Sequence, residues 1–219
     1  MPPTRRELLA GLGAGAAVGL AGCAGQLTDD GVAFGATEAT LSASVQEETG
    51  YTHFRTTPDT VSREFQRFGF SRSVDVTNVI SEYDRAIELS LLGTRLQAAV
   101  FATLSTPQVQ ILGRSFNPIE EISTAEITTT IQQQYDQIEN VTEDRQHDMD
   151  VAGQSTTVTR FTATARLIEA GFGVDIYLYV SEAVMVGEDF LVTLAAHPQA
   201  FGANVETIST LNAALTHAP

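Results

Sequence analysis

Two runs of alternating side chains and a third strand candidate lie between Thr156 and Ala196, and they leave little freedom in how that part of the chain can fold. In residues 156–167, Phe161, Ala163, Ala165 and Leu167 fall on one side and Arg160, Thr162, Thr164 and Arg166 on the other. A period of two belongs to a strand. In the second run, Val174, Ile176, Leu178 and Val180 alternate with Asp175, Tyr177 and Tyr179. Gly171-Phe172-Gly173 and Gly187-Glu188-Asp189 punctuate the runs, and residues 190–196 make the third. Strands joined by such short turns run antiparallel. Tyr177 and Tyr179 oppose the aliphatic face, so they either form a binding surface or pack beneath a helix.

Upstream, the patterns are mixed. Residues 32–36 read as a short strand. Residues 38–49 read as a short helix stopped by Gly50. Residues 51–55, 61–68 and 71–79 carry strand patterns with a turn at Gly69. Residues 81–93 are ambiguous: Tyr83, Ile87 and Leu91, four apart, suit a helix, while the family resemblance given below favours an irregular or extended piece. Residues 96–104 and 108–112 read as strands broken by Pro107. Ser123-Thr124-Ala125-Glu126 is a capping box, and Ile127, Ile131, Tyr135 and Ile138 then make one helical stripe. Residues 201–217 read as a closing helix with Val205, Ile208, Leu211 and Leu215 on its buried side. The expected fold is α+β: strands, a helix, a three-strand meander and a C-terminal helix, with the helices packed on an antiparallel sheet.

The start of the chain has a different character. Arg5 and Arg6 precede an apolar segment rich in Gly and Ala, which ends at Cys23. A charged region, a short apolar region and a small-residue cleavage site are the parts of an export signal. The apolar segment is shorter than the roughly 20 residues that span a bilayer. Thr4-Arg5-Arg6-Glu7-Leu8-Leu9 resembles a twin-arginine signal, and Leu20-Ala21-Gly22-Cys23 resembles a lipobox. The expected organisation is a removed segment at 1–22, a lipidated Cys23 with a short tether to residue 31, and one domain over 32–219. Cys23 is the chain's one cysteine. The domain therefore has no disulfide and must be held by its core.

The 219 residues contain 12 basic and 27 acidic side chains, a net charge of −15. All the basic side chains are Arg; no Lys occurs. Such a charge argues against binding nucleic acid and against electrostatic attraction to anionic headgroups. The membrane partner expected here is a lipid held covalently through Cys23. Carboxylates retain water in molar salt, where the Debye length falls to about 3 Å and their mutual repulsion fades. A protein adapted to high salt is the expectation.

Tyr51 after a Gly, Ser105-Thr106-Pro107, Gly113 with Asn117-Pro118, Gly187-Glu188-Asp189-Phe190, His197-Pro198 and residues 211–217 are similar to an uncharacterised family of haloarchaeal twin-arginine lipoproteins. The resemblance covers nearly the whole mature chain. It implies a PsbP-like α/β sandwich and a two-chain archaeal lipid on Cys23. It brings no activity.

Catalytic signatures are absent from the sequence: no Gly-x-Ser-x-Gly, no His-Glu-x-x-His, no phosphate-binding loop. Glu143, Asp144, His147, Asp148 and Asp150 form the one dense cluster, able in principle to hold a hard cation through oxygens. A solvated acidic loop explains it more simply. His197, before Pro198, is the one candidate general base; a hydrogen-bonded structural histidine is the simpler reading. Asn140-Val141-Thr142 is an N-glycosylation sequon. No cofactor is called for. The expected function is a lipid-anchored, non-enzymatic binding or accessory module on the outer face of the membrane. The alternative is a surface hydrolase using His197 or a metal held at 143–150.

Overall fold

A computed structural model describes residues 26–28, 31–67, 70–89, 94–111, 114–115, 138–167 and 172–217. Arg5, Arg6, the lipobox Leu20 to Cys23, the capping box at Ser123, most of the helical stripe that follows it, Gly113 and Asn117-Pro118 lie outside the described residues.

The meander expected from the alternating runs is present at the centre of the molecule. Strands β10 (Gln154–Leu167), β11 (Phe172–Ser181) and β13 (Asp189–Pro198) pair antiparallel in that spatial order. Phe161 sits opposite Leu178, Arg160 opposite Tyr179, and Tyr177 opposite His197. Strand β9 (Ile138–Val151) joins β10 through Ala152-Gly153, at φ 48° and 79°. Positive φ at both central residues matches the twist of a two-residue hairpin.

The sheet extends from β13 through β6 (Thr94–Pro107) and β5 (Phe70–Leu89) to an edge strand, β4 (Thr52–Arg67). On the same side of β5 as β6, β2 (Gly31–Gly35) runs parallel to β5, and β1 (Gln26–Thr28) pairs with β2. Strand β12 (Val184–Val186) folds back on β13, giving ten strands in one mixed sheet. Strands β7 (Gln110–Ile111) and β8 (Arg114–Ser115) form a separate small pair.

A second layer covers one face. It consists of β3 (Ala39–Leu41) paired with β14 (Leu215–His217), flanked by α1 (Ala43–Thr49) and α2 (Val205–Ala213). Tyr83, Phe101, Val158, Tyr179, Leu191 and Ala195 from the sheet meet Ala39, Leu41, Tyr51, Ile208, Leu211 and Leu215 in one buried cluster. Each such aliphatic side chain contributes roughly 1.5–3 kcal/mol by leaving water. The opposite face buries Phe161, Leu178, Val180 and Val192. A strand between two cores is apolar on both sides, and β13 is buried at nearly every position.

The α+β expectation, with helices forming the layer on an antiparallel sheet, is corrected. The described chain is a β-rich sandwich on a large mixed sheet, with two short α-helices. One ambiguous stretch and two local misreadings account for this. Residues 81–89 belong to β5, because a two-residue period also places Tyr83 and Ile87 on one side. Residues 138–151 are the strand β9, not a loop. Residues 201–217 are not one helix: a 3-10 turn at Gln199–Phe201 and α2 are followed by β14. Leu211 and Leu215 share a helical stripe in sequence, yet Leu215 reaches the same core from a strand.

The short helix near residue 43 has visible punctuation. Ser42 caps its first turn, its hydroxyl accepting from the Val45 N–H at 3.4 Å. Gly50 closes it at φ 74°, a left-handed conformation that suits glycine. The start of that predicted helix, residues 39–41, is instead β3. Gln26–Thr28, inside the expected tether, is β1.

Candidate functional site

The register of β9, β10, β11 and β13 gathers Asp144, His147, Tyr177, Tyr179 and His197 around one arginine. Arg160 lies next to Tyr179 across the β10–β11 ladder. Its Nε donates to Asp144 Oδ2 at 2.6 Å, and its guanidinium lies over the Tyr177 ring at 4.8 Å. Asp144 reaches it because β9 bulges there. Arg145 opposes Arg160 and Glu143 opposes Phe161, so Asp144 is the extra residue. A bulge re-aims a side chain that regular alternation would send to the other face.

Tyr179 is the hub, 1% exposed. His197 stacks on it at 5.8 Å and 24°, and His147 lies 6.3 Å away on the β9 side. Tyr177 meets His197 edge-on at 5.8 Å. The Tyr179 hydroxyl donates to the Ala203 carbonyl, just before α2. The cluster therefore ties the sheet to the approach of the second helix.

Electrostatics follow from burial. Desolvation raises the Tyr179 phenol above its ordinary value, with Arg160 acting against it. Desolvation also works to lower Arg160, but Tyr179 and Asp144 outweigh it and hold the guanidinium above its ordinary value. Burial lowers the His197 imidazole; the carbonyls of Pro198 and Ala203 oppose this, while Arg85 and Arg160 add to it. Burial lowers His147 too, helped by Arg160 and Arg145 and opposed by Asp144. Both imidazoles have a buried Nε2 without a hydrogen-bond partner, a cost that grows if either ring is charged.

A pH dependence follows. Above the ordinary histidine value of 6.5 both states of the chain hold these rings neutral, and the folded state keeps its full stability. As pH falls through that value, the unfolded chain takes up protons that the folded chain resists, so stability falls. In constant salt, the melting temperature is expected to drop between pH 7.5 and 5.5, and to drop less in His197→Asn. Equal pH slopes in the two proteins would remove His197 from this account.

The remaining sequence candidates separate. Glu143, Asp148 and Asp150 are exposed along the β9 strand, alternating with Thr142, His147 and Met149 rather than converging. The loop expected to gather them is corrected to a strand, because an edge strand that is exposed over most of its length and buries only Met149 and Val151 shows no apolar alternation. Among the described residues no group of three His, Cys, Asp or Glu is placed to hold a metal ion. His197 is 2% exposed, and its Nδ1 lies 3.2 Å from the Pro198 carbonyl. That placement suits an aromatic packing element more than a base serving substrate. Asn140 is exposed on β9 at φ 57°.

A second polar cluster escaped the sequence reading. Asp189 Oδ2 accepts from the Thr37 N–H at 2.7 Å, from the Thr37 hydroxyl at 2.9 Å and from His217 Nε2 at 3.0 Å. The Thr37 hydroxyl also lies 3.1 Å from the same Nε2. A Thr-His-Asp relay needs its hydroxyl and carboxylate on different ring nitrogens. Here both meet one nitrogen, so the group fastens β14 and the start of β3 to the β13 end. Only residue types were visible beforehand, since Thr37, Asp189 and His217 are far apart in the chain.

The edge strand β4 also stands out. Every described side chain from Thr52 to Ser62 on β4 is exposed, with Phe54 at 55% and Val61 at 39%.

Comparison with protein families matches residues 38–216 to one described as a domain of unknown function, DUF6517. Neither the curated proteins nor the solved structures contain a significant match.

Proposed function

The chain belongs to the DUF6517 family of domains, and from that premise we propose that it is a lipid-anchored binding or accessory module held on the outer face of the membrane. The twin-arginine motif at Arg5 and Arg6 and the lipobox ending at Cys23 support the address and the anchor. The Lys-free, acidic composition supports operation in high salt.

The observation that carries the binding role is β4. It is a 16-residue strand, and every side chain from Thr52 to Ser62 is exposed. A strand that exposes the side chains of Thr52 to Ser62 and turns Phe54 and Val61 outward is suited to receive another strand along its outer edge. The occupant we assign is an extended segment of a partner protein, hydrogen-bonded along β4, with Phe54 and Val61 in contact. Pro58 limits the continuous ladder to either side of it. The rings and carboxylates weighed for hydrolysis are in different surroundings: His197 is stacked and buried, and Glu143, Asp148 and Asp150 are strung out along β9.

The test is a photo-crosslinking residue placed at position 54 or 61, on intact cells in their native salt. Mass spectrometry is expected to find one discrete adduct at both positions and none at Gln154, which is exposed at the β9–β10 turn. No adduct at 54 and 61, or the same adducts at all three positions, would overturn the strand-addition reading.

A further inference from the structure

We propose that Asn140 carries an N-linked glycan that caps the β9 edge of the sheet. The proposal rests on the export reading, because the donor of such a sugar is used outside the cytoplasm.

Asn140-Val141-Thr142 is the one Asn-x-Ser/Thr sequence in the chain. A protein exported already folded offers a transferase only what its folded surface exposes. Most of a β-sandwich fails that condition, yet this sequon meets it. Among the described residues, strand β9 is the last strand at its end of the sheet, paired on one side by β10. Asn140 and Thr142 are both exposed. Val141 between them packs against the cluster of Phe161, Leu178, Val180 and Val192. The middle residue thus anchors the triplet while its two reacting ends face outward.

The local backbone favours access further. Glu139 pairs with Thr164 and Thr142 with Thr162, so Asn140 and Val141 share the place of one residue in a bulge. Asn140 takes φ 57° there. Asn tolerates that conformation, but Gly or Asp would serve it equally well. The conformation does not require a threonine two residues on; the glycosylation chemistry does.

In the transfer, the Asn140 amide nitrogen forms a bond to the anomeric carbon of a lipid-linked oligosaccharide. The bond from that carbon to the donor phosphate oxygen breaks, the lipid phosphate leaves, and one amide proton passes to a base of the transferase. No oxidant or reductant is involved.

The sheet gains a protected edge. An uncovered edge invites pairing with other chains, and charges normally discourage it. Glu139, Glu143, Asp148 and Asp150 line β9, but in molar salt their repulsion reaches only about 3 Å. A bulky hydrophilic sugar blocks pairing at any ionic strength.

The test is mass spectrometry of the Asn140-containing peptide, from protein isolated from the native host, with surface protease treatment of intact cells run in parallel. The expected result is a hexose-containing mass increment on Asn140. It should vanish in Asn140→Gln and Thr142→Ala and persist in Thr142→Ser, with the melting curve showing that each variant is folded. An unmodified Asn140 on protein that surface protease removes overturns the glycan and leaves the export reading standing. An unmodified Asn140 on protein that protease cannot reach overturns both.

Discussion

Cys23→Ser is expected to move nearly all of the protein from the membrane fraction into the medium. The chain has one thiol, so on the proposed reading one substitution removes the whole lipid anchor. Buried lipid contributes roughly 0.8 kcal/mol per methylene; one chain alone binds marginally, so a firm anchor calls for a two-chain lipid on Cys23. The net charge of −15 adds no attraction, because it opposes anionic headgroups. No described helix is long and apolar enough to cross a membrane. Fractionation of cells and medium, with the wild-type chain alongside, gives the measurement. Replacing Arg5 and Arg6 together by Lys makes the complementary change: precursor should build up inside the cell. Serine-substituted protein that stays with the membrane would overturn the anchor.

Tyr179→Ala is expected to cost about 3–5 kcal/mol, as for other large buried aromatics cut back to a methyl group. A folded domain has roughly 5–15 kcal/mol in total, so this one change brings the chain close to unfolding. The size follows from position. Tyr179 is buried in the main cluster, supports the His197 ring on one side and His147 on another, and holds the Ala203 carbonyl with its hydroxyl. Tyr179→Phe keeps the packing and loses only the hydroxyl, for which about 1–2 kcal/mol is expected. Denaturant unfolding at fixed salt and pH separates the two variants. An alanine variant within about 1 kcal/mol of the wild type would show that the cluster does not join the sheet to the second layer.

How far the fold was legible depended on how each segment is buried. Strands β10 and β11 were readable because each turns a distinct set of side chains to each side, and that difference is written as alternation. Strand β9 was not readable. At the sheet edge Glu139, Glu143, Arg145 and Asp150 all meet solvent, so no period marks the strand. The length of β4 was hidden for the same reason. The second half of β5 was ambiguous because spacings of four satisfy both periods. The last residues deceived because Leu211 and Leu215 meet one core from two kinds of element.

The candidate site shows the same division. Asp144, His147, Tyr177, Tyr179 and His197 were each singled out as residues, for unrelated reasons. Nothing in the sequence said that they meet. Arg160 was visible only as one polar position on a strand face.

The chain's own order of residues determined what depends on neighbours a few positions away. That includes the alternating strands, the Ser42 and Gly50 ends of the short helix, the export and lipid motifs and the Asn140 triplet. Tertiary structure alone decided what depends on which strand lies beside which: the mixed sheet, the second layer on β3 and β14, the bulge that turns Asp144 to Arg160, and the Asp189–His217 fastening. Local preferences are set within a turn or a strand length. Partners more than a hundred residues apart, such as Thr37 and Asp189, meet only after the whole sheet has chosen its register.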